Sequence, residues 1–161
     1  NKNSSLILEK EDNKLKIQIE DKLKRIFNLN LIDVDAEEKD VPDLEYVANV
    51  ELESPDLIQA IEDSLVVSDA CSFIIKEGKF IIEAKENGSA RVEFSSDIAN
   101  IQAEDCSARY SLDYLQKFMK AAKISEKTML RFSQDHPLKI DFKFDAITLG
   151  FILAPRMETE D

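Results

Sequence analysis

The residues able to do acid–base or nucleophilic chemistry are few. The single histidine, His136, stands before Pro137 in a turn-like stretch. No serine or cysteine is spaced to use it as a base, so it reads as a surface turn histidine. Cys71 and Cys106 lie far apart with no CxxC, which suits reduced, half-buried thiols better than a redox pair or a metal site. With only Gly78, Gly88 and Gly150, neither GxxxxGK[ST] nor GxGxxG exists. The acidic run from Asp33 invites a calcium loop. Its sixth position is Glu38 where an EF-hand needs glycine, and its twelfth is Leu44 where it needs glutamate. No carboxylate pair can be placed together from spacing, so a hydrolase reading has no support. The expectation is a non-enzyme without metal or cofactor. One constellation remains: Lys117, Lys120 and Lys123, at helical spacing. Taken alone, such a lysine triplet is most often a solvated helix face.

The elements that must carry these residues follow from composition and period. The chain has 161 residues, 43% hydrophobic and 34% charged, enough for a real core and unlike a disordered chain. Its formal charge of -12 repels nucleic acid as a whole, so any DNA role requires a local basic face. No apolar run has the ~20 residues of a membrane helix. Asn1 runs almost at once into Leu6-Ile7-Leu8, with no initiator Met, basic n-region or apolar h-region. The expectation is a piece of a longer subunit without a signal peptide.

Leu15, Ile17 and Ile19 alternate with polar residues, as do Phe27, Leu29 and Leu31, predicting half-buried strands. Asp33 to Asp43 has no usable hydrophobic period. Acidic repulsion and Pro42 extend it, so it reads as a linker over a surface. Beyond it, a strand is predicted over 46–52, then a helix with Ser54 as N-cap, Pro55 at its first position and Leu57, Ile58, Ile61 and Leu65 on one face. Strands follow over 71–76, 79–84 and 90–94, with turns at Glu77-Gly78 and Asn87-Gly88. The order then repeats. A strand over 106–110 leads to a helix over 111–123 with Leu112, Leu115, Phe118, Met119 and Ala122 inward. Three alternating strands follow through Thr128-Leu130-Phe132, Leu138-Ile140-Phe142-Phe144 and Ile147-Leu149-Phe151-Leu153. This strand–helix–three-strand unit, present twice, predicts an α+β fold with two helices side by side on antiparallel sheet.

Several stretches carry a resemblance. The chain ends in Leu153-Ala154-Pro155-Arg156 and acids from Glu158 to Asp161. The helix Tyr110-Ser-Leu-Asp-Tyr-Leu-Gln-Lys-Phe-Met-Lys120, the turn Asp135-His136-Pro137-Leu138 and the stretch from Ile32 to Tyr46 are equally distinctive. Together they resemble the proliferating-cell-nuclear-antigen family of DNA sliding clamps across essentially the whole chain. The resemblance implies the duplicated β-α-β-β-β clamp fold. Residues 1–32 would be the last strands of a truncated first domain and 33–46 the interdomain connecting loop. Residues 47–156 would be a complete second domain and 157–161 an acidic tail. It implies a processivity factor that encircles double-stranded DNA and tethers polymerase, clamp loader, ligase and nuclease through a peptide-docking pocket. The pocket positions are Val41, Pro42, Tyr46, Pro137, Ile152, Ala154 and Pro155. Lys117, Lys120 and Lys123 would face DNA. Arg25, Phe27 and Leu29 would meet Arg91, Val92 and Phe94 of a neighbour, self or paralogue, in a trimeric ring. Gln59 and Glu62 depart from the family, several of whose members are basic there. No membrane is implied, and the place of action would be the cytoplasm of an archaeon or the nucleus of a eukaryote. The competing readings are a checkpoint-type clamp paralogue and a duplicated α+β interaction module unrelated to DNA.

Overall fold

The structure, a computed structural model, describes residues 4–32 and 44–157. Two compact units divide the chain, Asn1–Pro42 and Asp43–Asp161. The stretch read as an acidic linker and the acidic tail lie largely outside the described residues.

In the first unit, β1 (Ser5–Glu11), β2 (Lys14–Glu20) and β3 (Lys24–Asn30) form an antiparallel meander in that order. The register aligns Leu6 with Ile19, Leu8 with Ile17 and Phe27, and Leu15 with Leu29, so period-2 alternation collects these apolar residues on one face. Among the described residues of the unit, no helix or second sheet covers that face. Strands β1 and β3 are therefore exposed along their whole length, and only β2 is partly buried. The predicted half-burial holds for β2 and fails for β3, where Phe27 and Leu29 remain about half exposed. Leu31, read as part of that strand, lies beyond its end.

The second unit begins with β4 (Ala48–Glu53) and α1 (Ser54–Leu65). Then come β5 (Ala70–Lys76), β6 (Lys79–Lys85), β7 (Ser89–Phe94) and β8 (Asn100–Ala103). The second half runs β9 (Cys106–Ser111), α2 (Leu112–Ala122), β10 (Lys127–Phe132), β11 (Leu138–Phe144) and β12 (Ile147–Leu153). Several details correct the sequence reading. Tyr46 precedes the strand, which starts at Ala48. Helix α1 begins one residue early, with Glu53 at the N-cap position, and Ser54 makes no cap. Its buried hydroxyl instead lies 2.8 Å from that of Thr128, tying α1 to β10. Strand β8 was not foreseen, because Asn100-Ile101-Gln102-Ala103 is too short to show a period. Glu77-Gly78 makes the expected tight turn, both residues having positive φ (52° and 74°). Cys71 and Cys106 are fully buried rather than half-buried, and both are free thiols. Burial pushes the Cys71 thiol up to about 12 and the Cys106 thiol up to about 11.

Strand pairing crosses the two halves. One sheet has the order β12-β11-β10-β4-β8 and the other β7-β6-β5-β9. The first strand of each half is thus built into the sheet of the other, β4 beside β10 and β9 beside β5. Helices α1 and α2 pack on one another and on these sheets, burying Leu57, Ala60 and Ile61 from the first and Leu112, Leu115, Met119 and Ala122 from the second. One contiguous core results, with Phe73 ringed by Phe80, Tyr110 and Phe132 at centroid separations of 5.3–6.0 Å. The inward row predicted for β11 and β12 stops short of the hairpin end. Phe142 and Leu153 are buried, but Phe144, Ile147 and Leu149 are exposed.

Candidate functional site

Three segments that are distant in sequence converge at one end of the five-stranded sheet, each held by hydrogen bonds. The first is the approach to β4. The Val47 amide donates to Ser133 Oγ at 3.0 Å, and that hydroxyl donates to the Glu45 carbonyl at 3.4 Å, fixing Tyr46 between them. The second is the turn between β10 and β11. The Asp135 amide donates to the Ser107 carbonyl at 2.9 Å, the Ser107 amide to Gln134 Oε1 at 2.9 Å, and the Tyr110 hydroxyl to the His136 carbonyl at 2.7 Å. These bonds pin His136-Pro137 against β9. The third is the end of β12. The Arg156 amide donates to the Arg109 carbonyl at 2.7 Å, and Arg156 Nη1 donates to Asp69 Oδ1 at 2.7 Å. The guanidinium beside Asp69 holds that carboxyl below its usual range.

Tyr46 meets His136 edge-on at 5.9 Å between centroids. The Tyr46 hydroxyl and His136 Nε2 are both buried and lack a hydrogen-bond partner. Burial raises the Tyr46 phenol above its ordinary value, with the nearby Arg131 and Asp141 acting in opposite senses. The Val47 and Glu45 bonds hold Tyr46 beside Ser133, just past the end of β10. Arg131, Lys139 and Ile152 form a lateral row across one face of the sheet. Arg131 Nη1 donates to Asp141 Oδ2 at 2.8 Å, and Asp141 is buried over Gly150.

Of the predicted docking residues, Tyr46 and Pro137 lie on segments that the Ser133 and Tyr110 bonds fix. Ile152 and Ala154 are exposed at the end of β12, and Pro155 is half-buried. Val41 and Pro42 lie outside the described residues. The sequence reading missed Arg131, Lys139 and Asp141. Their signal was the polar phase of the alternation whose apolar phase marked the core.

The predicted DNA-facing lysines are all exposed on α2. Lys117 Nζ lies 5.0 Å over the Tyr114 ring, Lys120 is in the last turn and Lys123 is the C-cap, where a cation suits the helix dipole. The adjacent α1 is different, exposing Asp56, Gln59, Glu62 and Asp63. Of the predicted subunit edges, β3 borders the three-stranded sheet and β7 borders the four-stranded one. Arg25 pairs with Asp21 in its own unit, and Arg91 with Glu83 and Glu93 on its own sheet. Val92 is half-buried. Phe94 is buried and stacked on Phe80, so its side chain belongs to the local core and only its backbone is free for an edge contact.

Residues 40–157 match the family described as proliferating cell nuclear antigen, C-terminal domain. The chain belongs to this family. A "DNA polymerase sliding clamp" of Nanoarchaeum equitans is 36% identical over 157 residues, spanning 93% of this chain and 63% of that protein. One of Thermococcus fumicolans is 35% identical over 161 residues, spanning 96% and 65%. The chain thus covers a little under two thirds of the length of these relatives. Proliferating cellular nuclear antigen from Entamoeba histolytica superposes with a TM-score of 0.84 at 25% identity, over 98% of this chain and 66% of that one. PCNA from Thermococcus kodakaraensis gives 0.83 at 22% identity, over 97% and 67%, which speaks for the fold alone. The α+β architecture expected from the duplicated pattern, and the clamp fold that the resemblance implied, are the fold observed. Among the described residues no helix is long and apolar enough to cross a membrane, and no group of acidic, histidine or cysteine side chains could hold a metal.

Proposed function

We propose that this chain is part of a sliding-clamp subunit that encircles duplex DNA and tethers replication and repair enzymes, conferring processivity without catalysis. The observation that carries the reading is the chain's membership of the clamp family, and the hydrogen bonds that fix the segments bearing Tyr46, Pro137 and the end of β12 support it. Exposed apolar side chains on segments held in place suit a short peptide bearing aliphatic and aromatic anchors. The family resemblance adds Val41 and Pro42 of the connector to these docking positions; both lie outside the described residues. Polymerase, clamp loader, ligase and nuclease are the partners, each through such a peptide.

On this reading residues 1–32 are the last strands of a first clamp domain, 33–46 the connector, 47–156 the second domain and 157–161 its tail. Lys117, Lys120 and Lys123 of α2 face the DNA backbone. They contact phosphate and not bases, which permits sliding. Subunits, self or paralogous, join head to tail in a trimeric ring, with β3 of one (Arg25, Phe27, Leu29) against β7 of the next (Arg91, Val92, and the backbone of Phe94). The work is done in the cytoplasm of an archaeal cell.

The test is a titration of this chain with a labelled peptide carrying a glutamine, an aliphatic anchor and paired aromatics. Ile152→Asp and Tyr46→Ala serve as controls, each checked for folding by circular dichroism. Micromolar binding that both substitutions abolish is expected. A folded chain that binds no such peptide would remove the docking function.

A further inference from the structure

We propose that Lys139 is a specificity residue of the docking site, reading an acidic side chain that the docked peptide carries beside its apolar anchor. The inference rests on the docking reading above and adds a charge to it. Lys139 lies on β11 directly opposite Ile152 of β12 and Arg131 of β10. Opposed residues on one sheet face have Cβ atoms about 4.5–5.5 Å apart. A peptide anchor seated on Ile152 therefore brings its neighbouring side chain within reach of the Lys139 ammonium.

The surrounding charges are already matched. Arg131 is bound to Asp141, and Asp141 is buried under that guanidinium. On β10 the next outward cation, Lys127, pairs with Glu51 at 3.0 Å. Among the described residues Lys139 has no carboxylate partner, although it is only partly exposed. Tyr46 is held beside Ser133, two residues past Arg131 on β10, and Ile152 forms the other end of the row, so Lys139 is the cation without an ion-pair partner between two anchoring side chains. A docked peptide removes water from this ammonium. An uncharged neighbour leaves it desolvated and unpaired, a cationic neighbour repels it, and an aspartate or glutamate compensates it.

The experiment compares three labelled peptides with the same glutamine, aliphatic and aromatic anchors. Each carries Asp, Asn or Lys beside the aliphatic anchor, with both flanks sampled. They are titrated by fluorescence anisotropy into the wild-type chain, Lys139→Met and Lys139→Glu, at low and high salt. At one flank the Asp peptide is expected to bind about two- to fivefold tighter than the Asn peptide, the scale of a partly exposed ion pair. The preference should shrink with salt, vanish in Lys139→Met and turn towards the Lys peptide in Lys139→Glu. Equal binding of all three peptides to wild type would overturn the proposal, as would an Asp preference that survives in Lys139→Met. Both results leave the docking reading intact. If no peptide binds the folded wild-type chain, the docking reading itself fails and this inference fails with it.

Discussion

At the scale of single residues, Asp141 shows how a charge can dictate the residue opposite. A Cβ at Gly150 would lie 2.6 Å from Asp141 Oδ1, and the carboxylate cannot swing away freely because Arg131 holds its other oxygen. Gly150→Ala should destabilise the second unit by about 1–3 kcal/mol, the range for overpacking. Asp141→Ala in the same chain should relieve part of the loss, and urea unfolding of the single and double variants checks this. Asp69 makes a prediction about pH. Its hydrogen bond from Arg156 lowers the folded pKa, so what the pair contributes is complete above the ordinary aspartate value near ~3.9 and lost as pH falls through the depressed folded value. The Leu-Ala-Pro-Arg end should therefore stay anchored through mildly acid conditions. In Arg156→Gln, an NMR titration should show the Asp69 carboxyl moving back up towards its ordinary value.

At the scale of elements, α2 joins the core to the proposed DNA face. Leu115 is fully buried while Lys117 and Lys120, on the same helix, are exposed. Leu115→Ala should cost about 2–5 kcal/mol in thermal or chemical denaturation, since α1, β5, β9 and β12 all pack near this helix and cannot collapse into the space. The helix periods were legible because a 3.6-residue repeat sorts apolar from charged side chains regardless of what the helix packs against. Ser54 was misjudged for the opposite reason. Its type favours an N-cap, but a buried hydroxyl partner on β10 outweighs that local preference.

At the scale of the whole chain, the two units differ in how they are stabilised. Unit Asp43–Asp161 has a contiguous core and sheets in which β4 and β9 are exchanged between halves, so neither half can form its sheet alone. The described part of Asn1–Pro42 is a three-stranded sheet with no fully buried residue. A small sheet without a covered apolar face is marginal in water. Hydrogen exchange on this chain should show amides of β1–β3 exchanging much faster than those of β5, β6 and β10. Comparable protection across both would mean that the apolar face bearing Leu8, Ile17 and Phe27 is covered in solution.

The sequence by itself determined the periods, and through them nearly every strand, both helices and the duplication that makes an α+β fold, while its resemblance to the family implied the clamp. It also marked Tyr46, Pro137 and Ile152 through the stretches that resemble the family. Alternation is local, carried by neighbours one to four residues apart, and so survives in a string of letters. What only the tertiary structure decided is non-local. The exchange of β4 and β9 between sheets, the hydrogen bonds at Ser133, at the Tyr110 hydroxyl and at the Arg109 carbonyl that gather three segments at one end of the sheet, and the commitment of Phe94 to its own core all belong here. So does Lys139, left beside Ile152 without a counter-charge among the described residues because Arg131 had already taken Asp141. Each depends on which strands lie next to one another, and no spacing along the chain encodes that.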